Sequence, residues 1–172
     1  MKRLSSLALI SLFSAEANAM YENAPIFETS PIKLSSGVSY QDLRFGEGLD
    51  VDVGKRVNIQ WSLKRSNGYS IDSSSNHDGV PFIFTVGASP SSGLQRGVPG
   101  LDQGIRGMKV GGIRRIVFPP ELAYVEGLDD GSPGPIPPDF GPQQRIKRVM
   151  NMLKDDVPGE SFILDVKVTR AQ

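Results

Sequence analysis

Position 77 holds the only histidine of the sequence, within residues 73–79, a segment that also contains serines and an aspartate. Serine, histidine and aspartate can form a hydrolase triad, in which the histidine accepts the proton of the serine hydroxyl. That chemistry needs a serine on a strained Gly-x-Ser-x-Gly turn, and the sequence contains no such motif. We therefore interpret His77 as a loop histidine rather than a catalytic base.

Two further segments match ligand-binding motifs only in part. Gly46-Glu47-Gly48 falls in a turn between two predicted strands, whereas a phosphate-binding glycine loop joins a strand to a helix. Asp129-Asp130-Gly131-Ser132 has the composition of a calcium loop but lacks the spaced oxygen ligands and the closing glutamate. We interpret both segments as turns and expect neither a nucleotide nor a metal ion.

Composition excludes further classes of chemistry. The 172 residues include no cysteine and one histidine, which excludes disulfides, a thiol nucleophile and Cys/His zinc sites. The 19 basic residues balance the 19 acidic residues, so no overall positive field exists to attract nucleic acid. We therefore expect no cofactor and no nucleic-acid partner.

The elements that would position a site are mostly strands. The 19 glycines and 13 prolines favour turns over long helices. Apolar alternation and turn signals predict strands over residues 38–43, 56–63, 81–86, 112–118 and 161–168, and Asn67-Gly68 predicts a hairpin turn. This pattern predicts an α+β domain built on an antiparallel sheet.

Two helices are predicted. Pro99 at a first-turn position, followed by Leu101, Ile105 and Met108 at helical spacing, predicts a short helix. Residues 143–156 predict a second helix with an apolar stripe formed by Ile146, Val149, Met150 and Leu153. We expect the stripe to pack on the domain. The opposite face carries Arg145, Lys147 and Arg148, as solvated charge or, alternatively, as a partner-binding rim.

Several motifs occur in an order that resembles one protein family. They are Trp61 on a strand, Ile71-Asp72-Ser73-Ser74, Pro81-Phe82-Ile83-Phe84, Val98-Pro99-Gly100-Leu101, Met108-Lys109-Val110-Gly111-Gly112, Pro119-Pro120-Glu121-Leu122-Ala123-Tyr124 and Ile136-Pro137-Pro138. Over residues 38–169 the sequence resembles the FKBP-type peptidyl-prolyl isomerases. The resemblance implies a twisted antiparallel sheet wrapped around a short helix, with residues 139–160 inserted before the last strand.

The resemblance also implies the site residues. Five positions match residues of the family's pocket, with Asp72 and Tyr124 as its polar, catalytic contacts: Asp72, Phe82, Val98, Tyr124 and Ile136. Four wall positions differ from the family's usual tyrosine, phenylalanine, tryptophan and phenylalanine, and these are Trp61, Ile71, Leu101 and Leu164. Alternatively, the apolar residues form a plain core and Asp72 caps a turn.

Prolyl isomerisation needs no acid, base or metal. Resonance gives the peptide C–N bond a rotational barrier of roughly 18–20 kcal/mol, and a dry apolar pocket that favours the twisted amide lowers that barrier. The resemblance implies proline-containing clients and, as further ligands, macrolides. The alternatives are a protein that binds proline segments with little turnover, or a scaffold that keeps only the fold.

The N-terminal residues predict export. Lys2 and Arg3 precede the apolar run of residues 7–13, and Ala17-Asn18-Ala19 is typical of a signal-peptidase site. We expect a targeting segment at residues 1–19, an extended tether at 20–36 and the isomerase domain at 37–172, with no stable membrane anchor after processing. The resemblance favours the thylakoid lumen, and a bacterial periplasm or another secretory space is the alternative.

Overall fold

The computed structural model describes residues 29–155 and 160–172. Its strands are β1 (Ile32–Lys33), β2 (Ser39–Arg44), β3 (Arg56–Arg65), β4 (Ser70–Ser73), β5 (Phe82–Thr85), β6 (Ile113–Phe118) and β7 (Phe162–Ala171). Its α-helices are α1 (Pro99–Gly104) and α2 (Phe140–Lys154). The predicted targeting segment and residues 20–28 of the predicted tether lie outside the described residues.

The strands form one antiparallel sheet in the order β1-β2-β6-β7-β3-β4, with β5 also paired to β3. On β3 the predicted alternation is confirmed, because one face is buried along its whole length by Val57, Ile59, Trp61 and Leu63. β7 lies between β3 and β6 at the centre of the sheet. The predicted α+β architecture, with a short helix and an inserted helix before the last strand, is confirmed.

α1 lies unusually close to the sheet because two of its residues are glycines. A Cβ atom on Gly100 would come within 2.2 Å of Cγ of Phe118, and one on Gly104 within 2.4 Å of Cγ2 of Ile116. Any larger side chain would separate the helix from β6. The helix ends at Gly104, earlier than the spacing of Ile105 and Met108 suggested, although both of these residues are buried.

α2 starts earlier than predicted, at Phe140 instead of Gln143, and its described residues end at Lys154. Proline is tolerated in a first helical turn, because the N–H that it lacks has no acceptor there, and Pro142 occupies such a position. Of the predicted stripe, Ile146 and Val149 are fully buried. Met150 and Leu153 are only half-buried.

Two short strands, β1 and β4, were not predicted from the sequence. β1 comprises two residues that pair with β2 and form an edge of the sheet, within the segment predicted as a tether. β4 follows the predicted Asn67-Gly68 turn, where Gly68 has a φ of 83°, and forms a hairpin with β3. Among the described residues, no helix is long and apolar enough to cross a membrane.

Candidate functional site

The predicted apolar site residues all belong to the buried core of the domain or pack against it. Five of them are part of the core, and Phe82 and Ile136 are partly buried against it. The five are at most 4% exposed, and they are Trp61, Ile71, Val98, Leu101 and Leu164. The site therefore has an inner wall closed to solvent and an outer wall that is only partly covered.

Asp72 is a buried carboxylate held by the turn that follows it. The residue is 2% exposed on β4, opposite Leu63 of β3. Nδ2 of Asn76 donates to its Oδ1 at 2.9 Å, and Nε2 of His77 donates to its Oδ2 at 2.8 Å. A buried carboxylate is costly unless hydrogen-bonded, and these two donors stabilise it.

His77 is therefore more than a loop histidine. It belongs to a 3₁₀ turn, Ser74–His77, that folds its ring back onto the carboxylate of Asp72. Sequence reasoning missed this contact, and also that of Asn76. The spacing of aspartate, asparagine and histidine at positions 72, 76 and 77 is the signal that could have indicated it, given a tight turn between them.

Tyr124 supplies the second polar group of the inner wall. Its hydroxyl donates to the backbone oxygen of Pro135 at 2.8 Å, and its ring meets Phe162 edge-on at 5.8 Å. Burial, and secondarily the negative charge of Asp72, raise the pKa of Tyr124 above its ordinary value. The phenol therefore stays protonated and remains a hydrogen-bond donor facing an apolar surrounding.

The outer wall opens onto a cavity of about 470 Å³ whose lining includes Phe82, Leu128, Asp130 and Ile136. Phe82 stacks on Phe84, with 5.4 Å between ring centroids. The segment that carries Ile136 is tied to α1 at its start, because the backbone N–H of Val98 donates to the carbonyl of Gly134 at 2.8 Å. Phe82 and Ile136 thus both line this cavity at the mouth of the site.

α2 covers the side of the site that faces β4. It packs on β4 and on the 3₁₀ turn Pro120–Leu122, which leads to Tyr124. Nη1 of Arg145 donates to the carbonyl of Ile71 at 3.1 Å, and its guanidinium lies 5.7 Å from the ring of Tyr69. Arg145 is exposed, as expected of solvated charge, and it also ties α2 to the strand that carries Asp72. Lys147 and Arg148 are exposed, as predicted.

The remaining buried charges lie elsewhere. Asp165 on β7 is fully buried and accepts hydrogen bonds from Lys64 and Arg115 on the neighbouring strands. Arg114 binds Asp42 and the carbonyl of Gly104 at the end of α1. Within residues 29–155 and 160–172, no three acidic, histidine or cysteine side chains come together as a metal-binding group. The site therefore offers an anchored carboxylate and a neutral phenol within an apolar cluster.

Comparison with known proteins gives one consistent result. A family model described as FKBP-type peptidyl-prolyl cis-trans isomerase matches residues 49–167. The chain is 35% identical over 154 residues to peptidyl-prolyl cis-trans isomerase FKBP17-1, chloroplastic, of Arabidopsis thaliana, covering 84% of this chain and 62% of that protein. It is 35% identical over 117 residues to FKBP16-3, chloroplastic, of the same plant, covering 68% of this chain and 47% of that protein.

Solved structures share the fold. FkpA from Escherichia coli superposes with a TM-score of 0.55 at 23% identity, covering 93% of this chain and 59% of that chain. The N-terminal domain of FKBP42 from Arabidopsis thaliana gives a TM-score of 0.56 at 16% identity, covering 86% and 96%. At these identities the likeness supports the fold alone.

Proposed function

Because the chain belongs to the FKBP-type peptidyl-prolyl cis-trans isomerase family, we propose that its domain accelerates rotation about X–Pro bonds in client proteins. The observation that carries the proposal is the juxtaposition of Asp72 and Tyr124 at the inner wall of an apolar cluster. This pair provides polar contacts for an amide, and the apolar residues around it provide contacts for a proline ring.

The proposed mechanism stabilises a twisted amide. A conjugated amide is more dipolar than a twisted one and loses more solvation in a dry site, so the apolar walls favour the twisted form. The neutral hydroxyl of Tyr124 would exchange its bond to Pro135 for one to the client carbonyl. The carboxylate of Asp72, fixed by Asn76 and His77, would face the rotating bond. Each 1.36 kcal/mol of selective stabilisation gives about tenfold in rate.

The proline would enter past the outer wall. Phe82 and Ile136 border a cavity open to solvent, whereas the opposite side lies under α2. Trp61, Ile71, Val98, Leu101 and Leu164 are proposed as the inner contacts of the proline ring. Since these residues are nearly inaccessible, productive binding requires the segment after Tyr124 to shift outward.

A second candidate function is binding of proline-containing segments with little or no turnover. The observation that favours it is the closure of the inner wall, where the hydroxyl of Tyr124 is already bonded to Pro135. A client held only at Phe82 and Ile136 would bind without reaching Asp72. A scaffold without client binding is the remaining alternative.

Relatives suggest where the protein works and what else it binds. The two Arabidopsis relatives are named chloroplastic. We propose that this protein works in the thylakoid lumen and that residues 1–19 direct it there and are then removed. Mass spectrometry of protein from that compartment should find a chain beginning at Met20, whereas an intact Met1 would contradict the proposal. A relative from Dictyostelium discoideum is named FK506-binding protein 4, which extends the proposal to macrolide ligands at the same walls.

A protease-free isomerase assay on a panel of X–Pro peptides, combined with calorimetry, tests these functions. Acceleration above the uncatalysed rate supports isomerisation, and its loss on addition of FK506 would support the macrolide ligand. Binding without acceleration supports the second function. A protein that neither accelerates rotation nor binds any X–Pro peptide at millimolar concentration contradicts both and leaves the scaffold.

A further inference from the structure

A groove of about 330 Å³ runs between α2 and residues 124–128. Its apolar lining includes Val125, Leu128, Ile146, Met150 and Leu153. This volume lies at the lower end of the range for ligand sites, large enough for one or two client side chains. Met150 and Leu153, which belong to the predicted apolar stripe, are half-buried and line this groove, and Met150 also packs against the core.

The charge of the groove is one-sided. Lys147 and Lys154 line it, and none of the carboxylates that the structure describes does. Lys147 and Lys154 lie seven residues apart on α2, which corresponds to about 10 Å along the helix axis. Neither lysine has an ion-pair partner within the described part of the chain.

The other charged residues near the two lysines interact with groups outside the groove. Arg145 is bonded to the carbonyl of Ile71, and the positive charge of Arg148 acts on Glu160, whose pKa it helps to lower. Glu126, in the turn opposite α2, is held by Arg96 and does not line the groove. The two lysines are therefore the charges of α2 left for a partner at this place.

The groove adjoins the proposed proline site. Leu128 lines both the groove and the cavity at the outer wall. Tyr124, which belongs to the proposed proline site, also lines the groove. An extended segment whose proline enters past Phe82 and Ile136 would cross Leu128 to reach α2. A recessed apolar floor fits a protruding side chain, and a planar membrane surface would reach the lysines but not the floor.

We infer that this groove is a second client subsite, which takes an apolar side chain flanked by carboxylates. The inference rests on the proposed function only for the identity of the client, since the groove itself requires no proline. It assigns the clients a preference for acidic and apolar residues a few positions from the proline. The carboxylates would pair with Lys147 and Lys154 while the apolar side chain contacts Met150, Leu153 and Leu128.

Three proline-free peptides test the groove directly. Each has a leucine-methionine-leucine centre and capped ends, and the flanking residues are glutamate, glutamine or lysine. Calorimetry on the full chain should give about fivefold tighter binding of the glutamate peptide than of the glutamine peptide, and weaker binding still of the lysine peptide. Equal affinities for the three peptides, or no binding at millimolar concentration, would overturn the inference.

A charge-reversal variant locates the binding. Lys147→Glu with Lys154→Glu should weaken the glutamate peptide by about fivefold or more and strengthen the lysine peptide. Lys33→Glu with Lys109→Glu makes the same change of net charge at exposed positions away from α2, and it should leave both affinities within about twofold. Equal losses in the two variants would mean that only net charge matters, and would contradict the groove.

The outcomes separate the groove from the proposed function. Turnover of X–Pro peptides without binding of the glutamate peptide overturns the groove and leaves the function. Binding of the glutamate peptide by a protein that neither binds nor turns over X–Pro peptides supports the groove and overturns the function. Binding to vesicles of phosphatidylcholine with phosphatidylglycerol, lost in the Lys147→Glu/Lys154→Glu variant while no peptide binds, overturns the groove in favour of a membrane surface.

Discussion

The two α-helices are attached to the same sheet in opposite ways. α1 has six residues, and Gly100 and Gly104 bring its backbone against Phe118 and Ile116 of β6. α2 has fifteen residues but buries only Ile146 and Val149 fully, with the bond from Arg145 to Ile71 as an added tie. We therefore expect that α1 cannot leave the core without unfolding of the domain, whereas α2 can undock while the sheet stays folded. The cover of the site and the site itself are therefore stabilised by different contacts.

The largest effect is expected from a methyl group added to α1. Gly100→Ala places Cβ about where Phe118 already stands, so we expect a loss of about 3 kcal/mol in the free energy of unfolding, measured by denaturant titration. Gly141→Ala is the matched control on α2, where a Cβ meets nothing within 4 Å. That change should be neutral or stabilising by up to about 1 kcal/mol. Similar losses in both variants would contradict the contrast between the helices.

A charge placed beneath α2 should undock this helix from the site that it covers. Val149→Asp buries an unpaired carboxylate, and we expect it to destabilise the docked helix by about 2–3 kcal/mol. Hydrogen exchange should increase along Phe140–Lys154 while β7 keeps its protection. Turnover of a short X–Pro peptide should rise severalfold, because Asp72 and Tyr124 become accessible.

Gln144→Asp, at an exposed position of the same helix, provides the control and should alter neither exchange nor turnover. If Val149→Asp frees α2 but leaves turnover unchanged, the helix does not restrict access to the site.

Substitutions of Asp72 and Tyr124 should distinguish effects on turnover from effects on peptide affinity. Asp72→Asn and Tyr124→Phe keep the apolar walls while removing about 1–2 kcal/mol of interaction specific to the twisted amide. We expect kcat/KM to fall about five- to thirtyfold, with a much smaller change in peptide affinity. Phe82→Ala should do the reverse and weaken peptide binding. Equal effects on turnover and affinity would assign Asp72 and Tyr124 to binding alone.

The smallest effect concerns the point where the chain returns from α2 to β7. Arg65 donates to both carboxylate oxygens of Glu160, and this bond lowers the pKa of Glu160 below its ordinary 4.5. Because the folded pKa is the lower one, the contribution is present above the unfolded pKa and disappears as the pH falls through the folded value. Glu160→Gln should therefore reduce stability by at most about 1 kcal/mol near pH 7.

Thermal melts across pH check this sign. The difference between Glu160→Gln and the unmodified chain should shrink as the pH drops below about 4. Glu47→Gln, at an exposed position outside the insertion, should show no such difference. A gap between Glu160→Gln and the unmodified chain that widens in acid would contradict the assigned direction.

Much of the fold could be predicted because it depends on local patterns. The alternation on β3 and the spacing of Ile146 and Val149 are periodic patterns, and the apolar residues of both patterns are buried. β4 has no such signal, since its four residues include two serines and an aspartate. The contact between His77 and Asp72 depends on the 3₁₀ turn between them, and the reach of Arg145 to Ile71 depends on where α2 docks. Spacing along the chain fixes neither this turn nor the docking of α2, so it could not predict the two contacts by itself.

For the site, the resemblance indicated which residues gather and not how accessible they are. Trp61, Leu101 and Leu164 were expected as pocket walls, and all three are closed off beneath other elements. Accessibility is set by how the elements pack around these residues, which is a property of the assembled domain. Whether these residues contact a client therefore remains a prediction.

The central position of β7 has a consequence for how the chain folds. β3 pairs with β7 across about a hundred residues of sequence, as in the contact between Lys64 and Asp165, and β2 pairs with β6, which comes after β3, β4 and β5 in the chain. β1 with β2, and β3 with β4 and β5, meet through shorter connections. Distant pairing slows folding in general, because a long loop has to close before the contacts form, and here the central strand pair needs β7. During synthesis, the sheet therefore cannot be completed until β7 has been made.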